Sequence, residues 1–435
     1  MRSDLRRLVA YALKQLILTC SAMSMVLALC ACSSGTSKGA PIHQPYNKRN
    51  HSSTQQNTKS LYTTKDIDTP NKQKLVSNQK SIPSNNPSNK TLPLNSSSLN
   101  LNKPKQPVRG IYVSSYVALS KRMDELIELV DQTELNAMVI DINSGPELFT
   151  LPASGDVNAV HFASTKLSKR FQQLIQKLKQ HNIYLIARII TFKNPALVNL
   201  KPEWALKQKN GDLWRDSSDA TWINPYIEQS WVYPQALMVG VANLGFDEVQ
   251  FDYVRFPENG SKVDKEVSYA NKRGWSKSEV ISQFLRQSSI KAHHAGIRSS
   301  ADVFGLVGSS EDDMGIGQKW NELANQVDVL SPMIYPSHYA KGIWSITNPD
   351  MMPSKIITEA LKDVTNKNEG LSKQQITTAN VRPWLQAFTA SWLHPHMNYQ
   401  SAQIREQILA ARNAGYNSYL LWNPSSRYPK FTVNS

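Results

Sequence analysis

From Val108 onward, short apolar runs alternate with helix-like stretches, and this alternation limits the fold more than any other feature. Eight runs read as strands: "RGIYVSSY" (109–116), "NAMVIDIN" (136–143), "IYLIARIITF" (183–192), "FDEVQFDYVRFP" (246–257), "RSSADVFGLV" (298–307), "DVLSPMIYP" (328–336), "VRPWLQAFT" (381–389) and "NSYLLWNP" (417–424). They are nearly continuously apolar, as expected of parallel strands buried on both faces. Between them, "SKRMDELIELVDQT" (120–133) carries Met123, Leu126, Ile127 and Val130 at helical spacing, with Ser120 as its expected N-cap. Similar segments lie at 168–182, 228–245, 276–296, 354–367 and 401–415. Pro234 is expected early in its helix or at a kink, and the His293–His294 pair on a surface. Eight strands alternating with helices predict an α/β fold, a (β/α)₈ TIM barrel over 108–435. An open doubly wound sheet would call for a Gly-rich turn after its first strand, and "YVSSYVALS" offers none. The connection after the third strand, with Trp204, Trp214 and Trp222, reads as too polar and Trp-rich to be core.

The chain ahead of the barrel has a different texture. Arg2, Arg6, Arg7 and Lys14 precede an apolar run from Leu16 to Ala31, the pattern of a secretory signal peptide. Its end, Leu29-Cys30-Ala31-Cys32, is similar to a bacterial lipobox, and Ala31 at the cleavage position favours Cys32 as the lipidated residue. An ordinary signal peptide with incidental cysteines is the alternative. Residues 1–31 are therefore expected to be a lipoprotein leader, with more than one acyl chain giving stable anchorage. Residues 32–107, rich in Ser, Asn, Lys and Pro, lack a sustained apolar period and read as a disordered tether.

Charge follows the same division. The net charge is +15 overall, yet 108–435 holds 34 Lys and Arg against 31 Asp and Glu. The basic character belongs mostly to the leader and tether, which suits an anionic envelope or a plain spacer and argues against a nucleic-acid partner. The three cysteines, Cys20, Cys30 and Cys32, all precede the barrel, so the domain has no disulfide and no thiol nucleophile.

In such a barrel the active site lies at the C-terminal ends of the strands. Polar residues there are the candidates: Asp141 on the second strand, Arg188 on the third, Asp252 on the fourth, Asp302 on the fifth, Tyr335 on the sixth, Gln386 on the seventh and Trp422 on the eighth. Strand alternation puts Glu248, Gln250 and Asp252 on one face and Phe251 and Tyr253 on the other. The aromatics should meet the helices, so Asp252 should face the axis, with Arg255 bracing the next loop. Carboxylates on neighbouring strands split their pKa values into an acid and a base. A separation of about 5–5.5 Å suits a retaining glycosidase and about 6.5–9.5 Å an inverting one. The competing reading is a buried ion pair of Asp252 with Arg188 or Arg255 that only orders the barrel. Tyr112, Tyr335, Trp384 and Trp422 suit stacking on pyranose faces. "HPH" at 394–396 is a weak metal motif and "SSEDDMG" (309–315) reads as a solvated acidic loop, so no metal and no cofactor are expected.

"GFDEVQFDYVRFP", with "IYLIARIITFKNP", "SADVFG", "SPMIYPSHY", "RPWLQAFT" and "GYNSYLLWNP" in order around it, resembles the glycoside-hydrolase-like domain family of bacterial envelope proteins, over Arg109 to Pro429. The resemblance implies a TIM barrel related to the amylase-like glycosidases. Asp252 then matches the strand-4 nucleophile, and Asp302 is the nearest match to the strand-5 acid, with Asp in place of Glu. Such enzymes also use a strand-7 acid, where this chain has Gln386 and Ala387.

The expectation is an exported, envelope-anchored monomer acting on a polysaccharide or envelope glycan. Asp252 and Asp302 would be catalytic, and Asp141, Arg188, Gln250, Tyr335, Gln386 and Trp422 would bind substrate. The missing strand-7 acid motivates a rival, a non-catalytic carbohydrate-binding barrel.

Overall fold

The computed structural model describes residue 104, 106–145, 148–150, 156 and 160–431. The leader, Cys32 and the tether as far as residue 103 lie outside the described residues. Eight strands form the main sheet: β1 (Arg109–Val113), β2 (Ala137–Asp141), β3 (Tyr184–Ile190), β4 (Glu248–Asp252), β5 (Arg298–Phe304), β6 (Val329–Ile334), β7 (Trp384–Gln386) and β8 (Tyr419–Trp422). Each pairs in parallel with its sequence neighbours, and β8 pairs with β1 through Arg109–Tyr419 and Ile111–Leu421, which closes the barrel. The expected (β/α)₈ barrel is the observed one. A two-residue strand, Asn380–Val381, extends the sheet beside β6.

The barrel is wrapped by α1 (Arg122–Asp131), α2 (Lys166–Gln180), α3 (Val232–Asn243), α4 (Lys277–His294), the short α5 (Trp320–Leu323), α6 (Pro353–Lys373) and α7 (Ser401–Asn413). In α1, Met123, Leu126, Ile127 and Val130 are buried, as their spacing predicts. Its N-cap is Lys121, one residue later than the expected Ser120, whose hydroxyl accepts from Arg122 N at 3.2 Å from outside the helix. Pro234 lies in the first turn of α3, where a missing N–H costs nothing. A reciprocal cap between Ser276 and Glu279 starts α4. Among the described residues no helix is long and apolar enough to cross a membrane.

Two apolar layers follow from strand alternation. Met138, Ile140, Leu185, Ala187, Val249 and Phe251 face the helices, and Phe251 meets Phe284 of α4 at 5.3 Å between ring centroids. Ala137, Val139, Ile186, Trp384 and Leu420 face the axis. The barrel's N-terminal end is held by a buried ion pair between Glu248 and Arg382, with the Tyr184 hydroxyl donating to Glu248 Oε2 at 3.1 Å. The charge at the start of β4 is therefore part of the barrel floor.

Three local expectations are corrected. The connection after β3 carries its own core: Trp222 is fully buried and Trp214 nearly so. Their indoles can be buried because Trp222 Nε1 donates to Asp216 and Trp214 Nε1 to Glu266, each at 2.9 Å. His293 is buried, with Nε2 2.8 Å from Asp328 Oδ2. Tyr253 leaves the strand with φ +50° and packs edge-on against Trp222 instead of facing the helices.

Candidate active site

The inward column of side chains at the C-terminal end of the barrel draws on seven strands and the residue after β6. Tyr112, Asp141, Arg188, Asp252, Asp302, Trp384 and Trp422 lie on β1, β2, β3, β4, β5, β7 and β8, and Tyr335 follows β6. Most reach the same end because they lie towards the close of their strands on the inward parity, whereas Trp384 begins the short β7.

Arg188 organises the group. It is buried, and its Nη1 pairs with Asp141 while its Nη2 pairs with Asp252. Its Nε donates to Asp252 Oδ2 at 3.0 Å and lies 4.0 Å from Asp302 Oδ2. The guanidinium sits over the rings of Trp422 and Tyr112, 5.1 and 5.7 Å from their centroids. Burial works against the Arg188 charge, but Asp141 and Asp252 outweigh it and hold the guanidinium firmly protonated. Asp141 Oδ2 also accepts from Tyr112 Oη and Ser144 Oγ, both at 2.6 Å. Asp252 Oδ1 accepts from Tyr253 N at 2.5 Å, a contact that the left-handed turn at Tyr253 makes available.

Asp302 is the odd one of the three carboxyls. Its Oδ1 accepts from Trp384 Nε1 at 2.7 Å. Burial, and then the charge of Asp252, push it well above the usual carboxylate range, while Arg188, the indole bond and Arg382 pull it back only in part. Burial and the neighbouring charge therefore favour the protonated form of Asp302, whose Oδ1 is the oxygen that accepts the indole.

Tyr335 is buried beside this group, its phenol raised by burial and then by Asp302 and Asp252. Trp422 packs on Tyr112 at 4.1 Å and meets Trp384 edge-on at 5.6 Å. The remaining two candidates stand apart. Gln250 is fully buried one layer deeper, with Nε2 donating to Ser331 Oγ at 3.1 Å. Gln386 is fully buried in the roof, accepting from Ser337 N and donating to Asp350 Oδ1 and Phe388 O. Arg255 pairs with Glu258 at 2.6 Å and braces the loop after β4, as expected. Tyr112 and Trp384 emerge as partners of the carboxyls rather than as sugar platforms. Ser144 and His338 at the rim had no signal in the sequence. His394 and His396 have ring centroids 6.0 Å apart, and His396 Nδ1 is spent on Leu393 O. Among the described residues no group of three or more His, Cys, Asp or Glu is arranged to hold a metal.

The fold is a closed (β/α)₈ barrel with buried carboxyls gathered at the C-terminal ends of its strands. The chain belongs to the family described as "Putative glycosyl hydrolase domain", whose model matches residues 110–428. A hypothetical protein from Ruminiclostridium thermocellum ATCC 27405 is 30% identical over 47% of this chain and 98% of its own, with a TM-score of 0.37. The glycoside hydrolase domain of PgaB (BpsB) from Bordetella bronchiseptica is 14% identical over 74% of this chain and 95% of its own, with a TM-score of 0.51. A β-galactosidase from the psychrophilic Marinomonas ef1 is 11% identical over 75% and 56%, also at 0.51. The last two share the fold. None of the curated proteins matches the chain.

Proposed function

We propose that this protein is an envelope-anchored glycoside hydrolase that cleaves a polysaccharide or envelope glycan with Asp302 as general acid and Asp252 as nucleophile. One observation carries the reading: Arg188 pairs directly with Asp252 but stands 4.0 Å from Asp302, whose carboxyl burial and Asp252 push above the usual carboxylate range. That split supplies the two roles glycosidic cleavage needs, proton donation to the leaving oxygen and attack or charge stabilisation at the anomeric carbon. The pairing of Gln250 with Ser300 and Phe251 with Ala301 brings Asp252 and Asp302 to equal height on strands about 4.8 Å apart, which favours the shorter spacing of a retaining enzyme. Asp141 and Arg188 position the nucleophile, and Tyr335 and Trp422 face the sugar. Gln250 supports it from deeper in the barrel, and Gln386 from the roof.

Anchorage rests on Cys32 and the signal-like leader. With an acylated Cys32 the barrel would work at a membrane surface, at the end of the tether, as a monomer.

The test is hydrolysis of envelope glycans and aryl glycosides by the wild type, Asp252→Asn and Asp302→Asn. Asp252→Asn should abolish turnover with the fold kept. Asp302→Asn should lose natural glycans but retain aryl glycosides with good leaving groups, which need no acid. Full turnover by Asp252→Asn sinks the assignment. Cys32→Ser should move the protein from the membrane to the soluble fraction.

A second reading has its own support. Both carboxyls are engaged by protein donors, Asp252 by Arg188 and Tyr253 and Asp302 by Trp384. A barrel that binds glycan without cleaving it would give retention on a glycan with no new reducing ends.

A further inference from the structure

We propose that the last stretch of chain ahead of the barrel, Pro93 to Lys103, docks on the outer wall where an eighth barrel helix would stand. The inference is independent of the glycan reading. Helices α1 to α7 wrap the eight strands, and among the described residues no helix follows β8. The segment from Ser426 to Phe431 takes only the inner part of that place. Ser114 N donates to Ser426 Oγ at 3.0 Å and Arg122 Nη2 to Ser426 O at 2.8 Å. Tyr428 Oη donates to Tyr112 O at 2.8 Å and to Leu421 O at 3.2 Å, which pins the segment against β1 and β8. A single extended segment is thinner than a helix, so the outside of the seam between α7 and α1 stays grooved.

Two grooves flank the segment. The one beside α1, of about 520 Å³, is lined by Leu126, Leu129 and Tyr428, with the exposed Glu125 and Glu128 at its rim. The one beside α7, of about 540 Å³, is lined by Ala402, Leu409 and Phe431. Leu409 is 36% exposed there, on a helix whose other apolar side chains turn inward. Lys430 lines both grooves, so they are neighbours across one side chain. Apolar side chains left open along a barrel seam form a surface that a further element can cover.

The chain itself arrives at this seam. Pro107 O accepts from Asn136 Nδ2 at 2.9 Å and Val108 N donates to Ser418 Oγ at 3.0 Å. That entry lies at the foot of α1 and α7, where Arg412 of α7 pairs with Glu134 just after α1. Immediately upstream, "PLNSSSLNLNK" (93–103) carries Leu94, Leu99 and Leu101. Pro93, Pro104 and the run from Asn95 to Ser98 disfavour helix, so the stretch suits an extended path, with Leu99 and Leu101 on one side. Across the place of one helix, α1 and α7 stand two interhelical spacings apart, roughly 16–20 Å. Leu94 and Leu99 are five residues apart, about 17 Å of extended chain. The Leu99–Leu101 pair therefore fits the groove beside α1, nearer the entry, and Leu94 the groove beside α7. Lys103 then passes the rim that carries Glu125 and Glu128.

The test uses the full chain with Cys20→Ser, Cys30→Ser and Cys32→Ser, which removes every native thiol. Amide hydrogen exchange over 95–102 should be at least tenfold slower than over 70–90. In the triple variant Leu94→Asp, Leu99→Asp and Leu101→Asp the two stretches should exchange alike, with thermal melts confirming that the barrel stays folded. In a second arm, Ser98→Cys with Glu125→Cys should form an intramolecular disulfide at least tenfold faster than Ser98→Cys with Gln287→Cys, on the outer face of α4. Equal exchange over 95–102 and 70–90 in the parent chain overturns the docking, and so does slow exchange that persists in the triple variant. A disulfide that links two chains instead of closing within one gives the grooves to a second copy and overturns it. Slow exchange that appears only with phosphatidylglycerol vesicles gives the leucines to lipid and overturns it as well.

Discussion

The Trp384 indole donates to Asp302 Oδ1 at 2.7 Å across the barrel, from β7 to β5. The bond fixes which Asp302 oxygen accepts the indole N–H. It also holds the Asp302 pKa below where burial alone would leave it. Trp384→Phe should move the basic limb of the pH dependence of kcat/KM to higher pH. The smaller ring should cost about 2 kcal/mol of stability. An unmoved limb would show that the indole does not tune this acid.

Arg188 is the cation that all three buried carboxyls of the site face. Arg188→Met should lose about 3–5 kcal/mol, because the partners keep their burial and lose their compensation. Urea unfolding should show a larger loss at pH 8 than at pH 5, where the orphaned carboxyls can take up protons. A loss that is equal at both pH values would argue that packing, not charge, sets the cost.

The pH dependence of stability has two opposing contributions. Asp302 sits above its ordinary 3.8, so the folded chain binds more protons than the unfolded chain from 3.8 up to the raised value. Stability therefore falls as pH rises through that window, and Asp302→Asn should remove the fall. His338 is pushed from 6.5 down to about 4 by burial, so the unfolded chain binds more protons between those values. Stability then falls as pH drops from 6.5 towards 4, and His338→Gln should flatten that side. Urea melts from pH 4 to pH 8 on the two variants check both signs.

Two buried arginine–carboxylate pairs involve the two ends of the same strand. Glu248 begins β4 and pairs with Arg382, and Asp252 ends it and pairs with Arg188. Glu248→Gln should cost about 3–5 kcal/mol with kcat unchanged, since the floor takes no part in chemistry. Asp252→Asn should do the reverse and remove kcat with a smaller change in stability. Denaturant unfolding and steady-state rates on both variants make the comparison, and a fallen kcat in Glu248→Gln alone would place the floor within the catalytic machinery.

What the sequence determined is the barrel and the parity of its strands. Eight apolar runs separated by helical periods can bury both faces only by closing with helices outside, and alternation along β4 then turns Glu248, Gln250 and Asp252 inward. What it left open is which of those inward groups meet. Asp252 had Arg188 and Arg255 as possible partners, and only the structure gives Arg188 to the carboxyls and Arg255 to Glu258. Gln386 has the same parity as Trp384, yet its amide turns into the roof towards Asp350. Tyr253 departs from alternation because the chain turns left-handed there. The reason is common to all three. Local pattern reports which face a residue occupies, whereas ring closure and loop packing join residues such as Asp302 and Trp384, 82 positions apart, by contacts that no local period encodes.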